Sequence, residues 1–256
     1  RSRCVNQDML DALKMWEKAL PSWSIFFHDD TAVDRLLQMD WPEFPQLHQC
    51  LKCVQKGAMK IDIWRVLILW KYGGLYADAD IAPSLSAFHD NLILPQASFF
   101  SSSDVWNRPS QWMFGMRAGH FIGNRTMHHI MDNVLGLSNI AKPKVVFVTG
   151  PQALYNGYQD FFEWNKNLSE HRPTNIDFTS NGTMGSGTHS RLVQRINPKS
   201  LYINSSYWTA KVDLNGTLVP RKTRMQNSFN HMHWKTEREK STLPKISCND
   251  YLSKFP

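Results

Sequence analysis

Apolar positions along the chain switch between helical and strand spacing, and the switches divide it into elements. Over residues 7–20, Met9, Leu10, Leu13, Trp16 and Leu20 fall on one side of an amphipathic helix, which Pro21 stops. Trp23-Ser-Ile-Phe-Phe27 reads as a strand, and His28-Asp29-Asp30 caps a helix over residues 32–39. A proline-punctuated loop fills 41–45 and a short helix 46–54. Ile61, Trp64, Ile68 and Leu69 then recur at helical spacing, which predicts a helix packed into a core. Gly73-Gly74 fits its C-terminus, where a positive φ is needed. Leu75, Tyr76 and Ala77 suit a short buried strand. Asp78 and Asp80 follow at its carboxyl end, where open α/β sheets put their ligands.

Further along, Ile93-Leu94 and Phe99-Phe100 fit short strands, 101–110 is a polar loop, and 111–116 is apolar enough for a strand. Met127, Ile130, Met131 and Leu135 give a helix over 127–137. The β-branched run 144–148 predicts a strand. It leads through Thr149-Gly150-Pro151 into a helix over 152–160. Residues 165–190 are polar and rich in Gly, Ser and Thr, which predicts a flexible surface excursion. Short strands are expected at 201–203 and 207–212, and residues 221–240 form a basic segment. No internal repeat or low-complexity tract interrupts the pattern, so a single α/β domain over 1–256 is the simplest account.

Composition narrows the class of protein. The 256 residues suffice for one sizeable core, and 42% apolar with 20% charged residues is a globular balance. The formal net charge of +7 favours anionic partners, but it is diffuse, and no nucleic-acid fold signature accompanies it. No apolar run approaches the roughly 18 residues of a membrane span. The chain starts at Arg1 with no signal peptide, as expected for a processed or truncated piece of a longer protein whose membrane anchor lies outside it. Five Asn-x-Ser/Thr sequons, at Asn124, Asn167, Asn181, Asn204 and Asn215, point to a secretory compartment. Cys4, Cys50, Cys53 and Cys248 allow three pairings in an oxidising lumen, of which Cys50–Cys53 with Cys4–Cys248 is one. Cys50-x-x-Cys53 has no second ligand pair nearby for a zinc site.

Two carboxylates at i and i+2 at a strand end can jointly hold a hard divalent cation, although alone they equally suit a turn. Asp62 and Arg65, three apart, share one helix face and could be no more than a surface ion pair worth a few tenths of a kcal/mol. His231 and His233 alternate on one side of a strand. His128 and His129 are adjacent on a helix and point about 100° apart, so both cannot easily reach one ion.

The ordered block Asp62-x-x-Arg65, then Tyr72-Gly73-Gly74-x-Tyr76-x-Asp78-x-Asp80, resembles the DXD sugar-binding region of glycosyltransferase family 32. That family includes mannosyltransferases and α-1,4 galactosyl- and N-acetylglucosaminyltransferases. The resemblance extends to the early helix and strand order and to Thr149-Gly150-Pro151. It implies a GT-A-like, Rossmann-like fold with a central mixed sheet flanked by helices. It also implies a retaining hexosyltransferase of the Golgi or another secretory lumen. The donor would be a GDP- or UDP-linked sugar, the cation Mn²⁺ or Mg²⁺, and the acceptor a glycan or glycolipid.

By the same resemblance Asp62, Arg65 and Asp78 are catalytic, and Asp62, Arg65, Tyr76, Asp78 and Gly150 contact the donor. Asp80 is the direct metal ligand, with Asp78 beside it. His231, or alternatively His233, completes the metal site, and Lys235 and Arg224 could assist the diphosphate. Trp106, Trp112 and Gly119-His120 sit where acceptor-facing loops lie in that family. The family's usual first strand is not found before Gln7, which leaves open a degenerate transferase fold that binds nucleotide sugar or glycan without turnover. A dehalogenase-type phosphatase also uses Asp-x-Asp, but here Ala82 and the Tyr-Gly-Gly context do not match it.

Overall fold

Helix α4, Gly57–Tyr72, buries more than half of its circumference: Met59, Asp62, Ile63, Trp64, Val66, Leu67 and Leu69 are buried, and Ile61, Arg65, Ile68 and Tyr72 make up the more open face. A helix with so broad a buried face packs into a core. The computed structural model describes residues 7–78, 98–103, 109–170, 194–195 and 245–255, and these fall into two units. The helical unit draws on residues 30–73, 117–165 and 231–256; the sheet unit draws on 1–29, 74–116 and 166–230.

In the helical unit, α4 is joined by α2 (Asp30–Leu37), α3 (Leu47–Lys52), α5 (Phe121–Leu135), α6 (Val145–Val148), α7 (Pro151–Glu170) as far as residue 165, and α8 (Cys248–Lys254). The principal partner of α4 is α5, with α2 and α6 also against it. Phe44, Leu47, Ile63, Leu67, Ile122 and Ile130 are fully buried here, each worth about 1.5–3 kcal/mol of burial. Phe44 also meets Trp70 edge to face with ring centroids 4.9 Å apart. The helical spacing expected from Ile61, Trp64, Ile68 and Leu69 is present, but Ile61 and Ile68 are only half-buried. The deepest positions are instead Met59, Ile63, Val66 and Leu67. The C-terminal segment is fixed to the loop after α5: Ile140 N–H donates to Ile246 O at 3.0 Å and Cys248 N–H to Leu137 O at 2.9 Å.

The sheet unit holds α1 (Gln7–Ala19) and strands β1 (Gly74–Ala77), β2 (Phe99–Ser103), β3 (Pro109–Met116) and β4 (Gln194–Arg195). Their order is β1-β3-β2-β4. Pairs β1/β3 and β2/β3 are antiparallel and β2/β4 is parallel, so the sheet is mixed. Central strand β3 is buried on both faces apart from Trp112, as a strand with neighbours on each side should be. The mixed α/β class expected from the sequence is therefore present.

Several local expectations fail, each for an identifiable reason. Residues 23–27 form no strand: Trp23, Ile25, Phe26 and Phe27 are exposed, and among the described residues no strand pairs with them, so the β-forming side chains have no pleated surface to fit. The β-branched run 144–148 is helical, because its carbonyls are satisfied locally and by α5. Phe147 and Val148 N–H donate to Lys144 O, Thr149 N–H donates to Val145 O, and Asn133 Nδ2 donates to the carbonyls of Phe147 and Val148. Tertiary capping outweighs β propensity there. Residues 165–170, expected to open the flexible excursion, continue α7. The cysteine pairing also differs. Cys53 is bonded to Cys248, and Cys50 is free and fully buried on the core side of α3. Cys4 lies outside the described residues, as do the strands expected at 93–94, 201–203 and 207–212 and the basic segment 221–240.

Candidate functional site

The helical unit brings Asp62 and Arg65 together on α4. Arg65 Nη2 lies 3.3 Å from Asp62 Oδ1, and Arg65 Nε donates to Ile61 O at 3.4 Å. Both side chains are close to inaccessible, at 11% and 9%. This is not the exposed i,i+3 pair that spacing alone allows. A charge pair shielded from water is strongly destabilised when only one member is removed, by about 3–5 kcal/mol. The other Asp62 oxygen, Oδ2, accepts from Thr149 Oγ1 at 2.8 Å across 87 positions of sequence. Thr149 is itself fully buried.

Gly150, expected to contact the donor, sits beside this network. A Cβ there would lie 2.7 Å from Val146 Cα, so the backbone turn from α6 into α7 requires glycine for close approach. The Thr149 hydroxyl was not singled out by sequence reasoning. The Thr-Gly-Pro motif was its signal, but spacing could not reveal a partner so distant along the chain.

The sheet unit brings Tyr76 and Asp78 together. Gly73 and Gly74 adopt φ of +73° and +105°, as the helix stop demands. The chain enters β1, and Asp78 N–H donates to Trp112 O at 2.8 Å, carrying the β1/β3 ladder one residue past Ala77. Asp78 is thus set at the carboxyl end of a strand by a backbone bond. Tyr76 Oη donates to Asp78 Oδ1 at 2.6 Å, while its ring lies 6.0 Å from that of Phe114. Tyr76 therefore orients this carboxylate. Asp80, His231, His233, Arg224, Lys235 and Trp106 lie outside the described residues. Among the described residues no cluster of three potential metal ligands occurs. The carboxylates that the sequence offers match the oxygen-ligand chemistry of Mn²⁺ and Mg²⁺. The hydroxyl-bonded carboxylate of Asp78 at a strand end is the described part of that set.

Three of the described histidines, His120, His128 and His129, have other partners. His128 packs its ring edge against Phe44 at 5.7 Å, and His129 Nε2 lies 2.9 Å from Asp160 Oδ2, which also accepts from Arg125 Nε at 2.8 Å. The adjacent pair serves two separate contacts, as their angular separation requires. Burial tends to raise the Asp160 pKa, but the hydrogen bonds from Arg125 and His129 outweigh it and hold the carboxyl below its ordinary value. His120 caps α5 by accepting from Ile122 N–H at Nδ1, 3.1 Å away. Burial and then the Arg117 charge push its pKa down to about 4. A pocket of about 330 Å³ opens beside Lys56, Lys142 and Lys144 at the start of α4, and none of the expected site residues lines it.

Comparison with known proteins gives two positive results. Residues 6–100 match the family described as "Glycosyltransferase sugar-binding region containing DXD motif". Over 74 residues the chain is 34% identical to alpha-1,4-N-acetylglucosaminyltransferase of Homo sapiens, a match covering 28% of this chain and 22% of that relative. No solved structure matches. The resemblance read from the Asp62–Asp80 block is borne out over that region, and both matches support a transferase.

Proposed function

We propose that this chain, whose residues 6–100 match a glycosyltransferase sugar-binding region of the DXD type, is the catalytic domain of a metal-dependent, retaining hexosyltransferase. It would move mannose, galactose, N-acetylglucosamine or glucose from a GDP- or UDP-linked donor to a glycan or glycolipid. On this reading residues 1–256 act as one GT-A-like domain. The mixed sheet, with Asp78 at the carboxyl end of β1, supports that fold. The observation that carries the function is the match over residues 6–100, joined to the placement of its two acidic elements. Asp62 is buried and bonded on α4, and Asp78 is fixed at a strand end and hydrogen-bonded by Tyr76.

Each residue then has a role. Asp62 accepts hydroxyl hydrogen bonds of the donor sugar, and Arg65 keeps that carboxylate ionised and in place. Asp78 contacts the ribose or sugar, oriented by Tyr76. Asp78, Asp80 and His231, or His233 in its place, would hold Mn²⁺ or Mg²⁺, which supplies Lewis-acid neutralisation of charge on the departing diphosphate. Catalysis rests mainly on positioning and electrostatic stabilisation, with the acceptor hydroxyl attacking on the face the leaving phosphate vacates.

The test is a screen of nucleotide sugars for Mn²⁺-dependent hydrolysis and transfer, run beside Asp80→Asn. Turnover of one donor by the unsubstituted protein, with a loss of at least about 100-fold in the variant, is expected. Full turnover in the variant would overturn the assignment. Nucleotide binding without any turnover would favour a non-catalytic sugar-binding domain instead.

A further inference from the structure

The Asp62 carboxylate receives donors on both oxygens from two different parts of the chain. Arg65, one turn along α4, addresses Oδ1 at 3.3 Å. Thr149, at the junction of α6 and α7, addresses Oδ2 at 2.8 Å. The hydroxyl is not free to wander. Thr149 N–H is bonded to Val145 O at 3.1 Å, Gly150 N–H to the same carbonyl at 2.9 Å, and Ala153 N–H to Gly150 O at 2.9 Å. A side chain at position 150 would collide with the backbone of Val146, so the turn that presents Thr149 has one compact form. Thr149 is fully buried and Asp62 is 6% exposed, so solvent does not readily substitute for either partner. Two donors from independent anchors restrict rotation of a carboxylate about its own axis, which one donor does not.

We propose that Thr149 is a positioning residue: its hydroxyl sets the plane in which Asp62 meets the donor sugar. The inference rests on the sugar-binding role of Asp62 proposed above. A hydroxyl lost from a buried bond to a charged group leaves a functional deficit larger than its volume change, because Thr and Val have nearly the same shape. The effect should appear in donor use and should vanish when Asp62 can no longer act.

The experiment compares Thr149→Val, Thr149→Ser, Asp62→Asn and the Asp62→Asn/Thr149→Val double variant in the donor-hydrolysis assay. Alongside it, the Asp62 side-chain carboxyl carbon is titrated by NMR. Thr149→Val should lower kcat/KM for the nucleotide sugar about tenfold. Thr149→Ser should stay within about twofold of the parent, and the double variant should be no worse than Asp62→Asn alone. Thr149→Val should also raise the Asp62 titration midpoint by about one unit, since a donor to the charged form has gone. Equal loss in the Val and Ser variants, additive losses in the double variant, or full activity in Thr149→Val would each overturn the proposal. If the unsubstituted chain turns over no nucleotide sugar, the functional reading fails on its own. The NMR midpoint then decides whether Thr149 governs Asp62, and an unmoved midpoint rejects that too.

Discussion

Cys50 and Cys53 stand three residues apart and meet opposite fates. Cys53 reaches Cys248, with Cα atoms 5.6 Å apart, whereas Cys50 is sealed against the core and burial pushes its thiol pKa up to about 12. Since the thiolate is the nucleophile, Cys50 should resist alkylation in the folded protein at pH 8. It should label within minutes only after denaturant is added, as peptide mass mapping would show. Rapid labelling of the native protein would mean that α3 does not hold it inside. Spacing could propose cysteine pairs but could not tell which sulfur faces inward. The same limit applies to Asp62 and Arg65. Three-residue spacing identified a shared face, and only the fold shows that this face is shielded from water. Thr149 stayed hidden for a related reason: its partner is fixed by packing and not by any local period.

At the level of elements, helices with strong apolar periodicity were legible and isolated apolar runs were not. The helices around Met59 and Met127 appear where the pattern puts them, and the Gly73-Gly74 stop adopts the backbone that was inferred. Runs 23–27 and 144–148 carry no information about their neighbours, and it is neighbours that decide between strand and turn. The start of α5 offers a measurable consequence. An unfolded histidine titrates near 6.5 and folded His120 near 4, so the unfolded chain binds more protons between those values. Stability should therefore fall as pH drops from about 6.5 to 4, by at most about 3 kcal/mol from this residue. His28 and His128, also held below their ordinary values mainly by burial, act in the same direction. His120→Asn keeps a good cap and should flatten this slope in pH-dependent thermal unfolding. An unchanged slope would show that the imidazole is not the titrating group.

For the whole molecule, the α/β class was readable from the sequence and the division into two units was not. Strands of two to eight residues are too short to leave a periodic mark of which unit owns each segment. No described helix is long and apolar enough to cross a membrane. We propose that the chain works in a secretory lumen, on the strength of its sequons and the Cys53–Cys248 bond. Protein recovered from a secreting host should show glycan mass at one or more sequons. Non-reducing peptide maps should show Cys53 joined to Cys248. Replacing both cysteines by serine should cost about 2–5 kcal/mol of unfolding free energy in denaturant titration. Free thiols at both positions in the secreted protein would contradict the structure.

That bond also changes how the chain can come apart. It joins positions separated by 195 residues, so everything from 54 to 247, including all four strands and four of the eight helices named here, lies inside one covalent ring. A protease that cuts once within the ring opens it without releasing a fragment. The nicked protein should keep its full mass on a non-reducing gel and divide into two pieces only when a thiol is added.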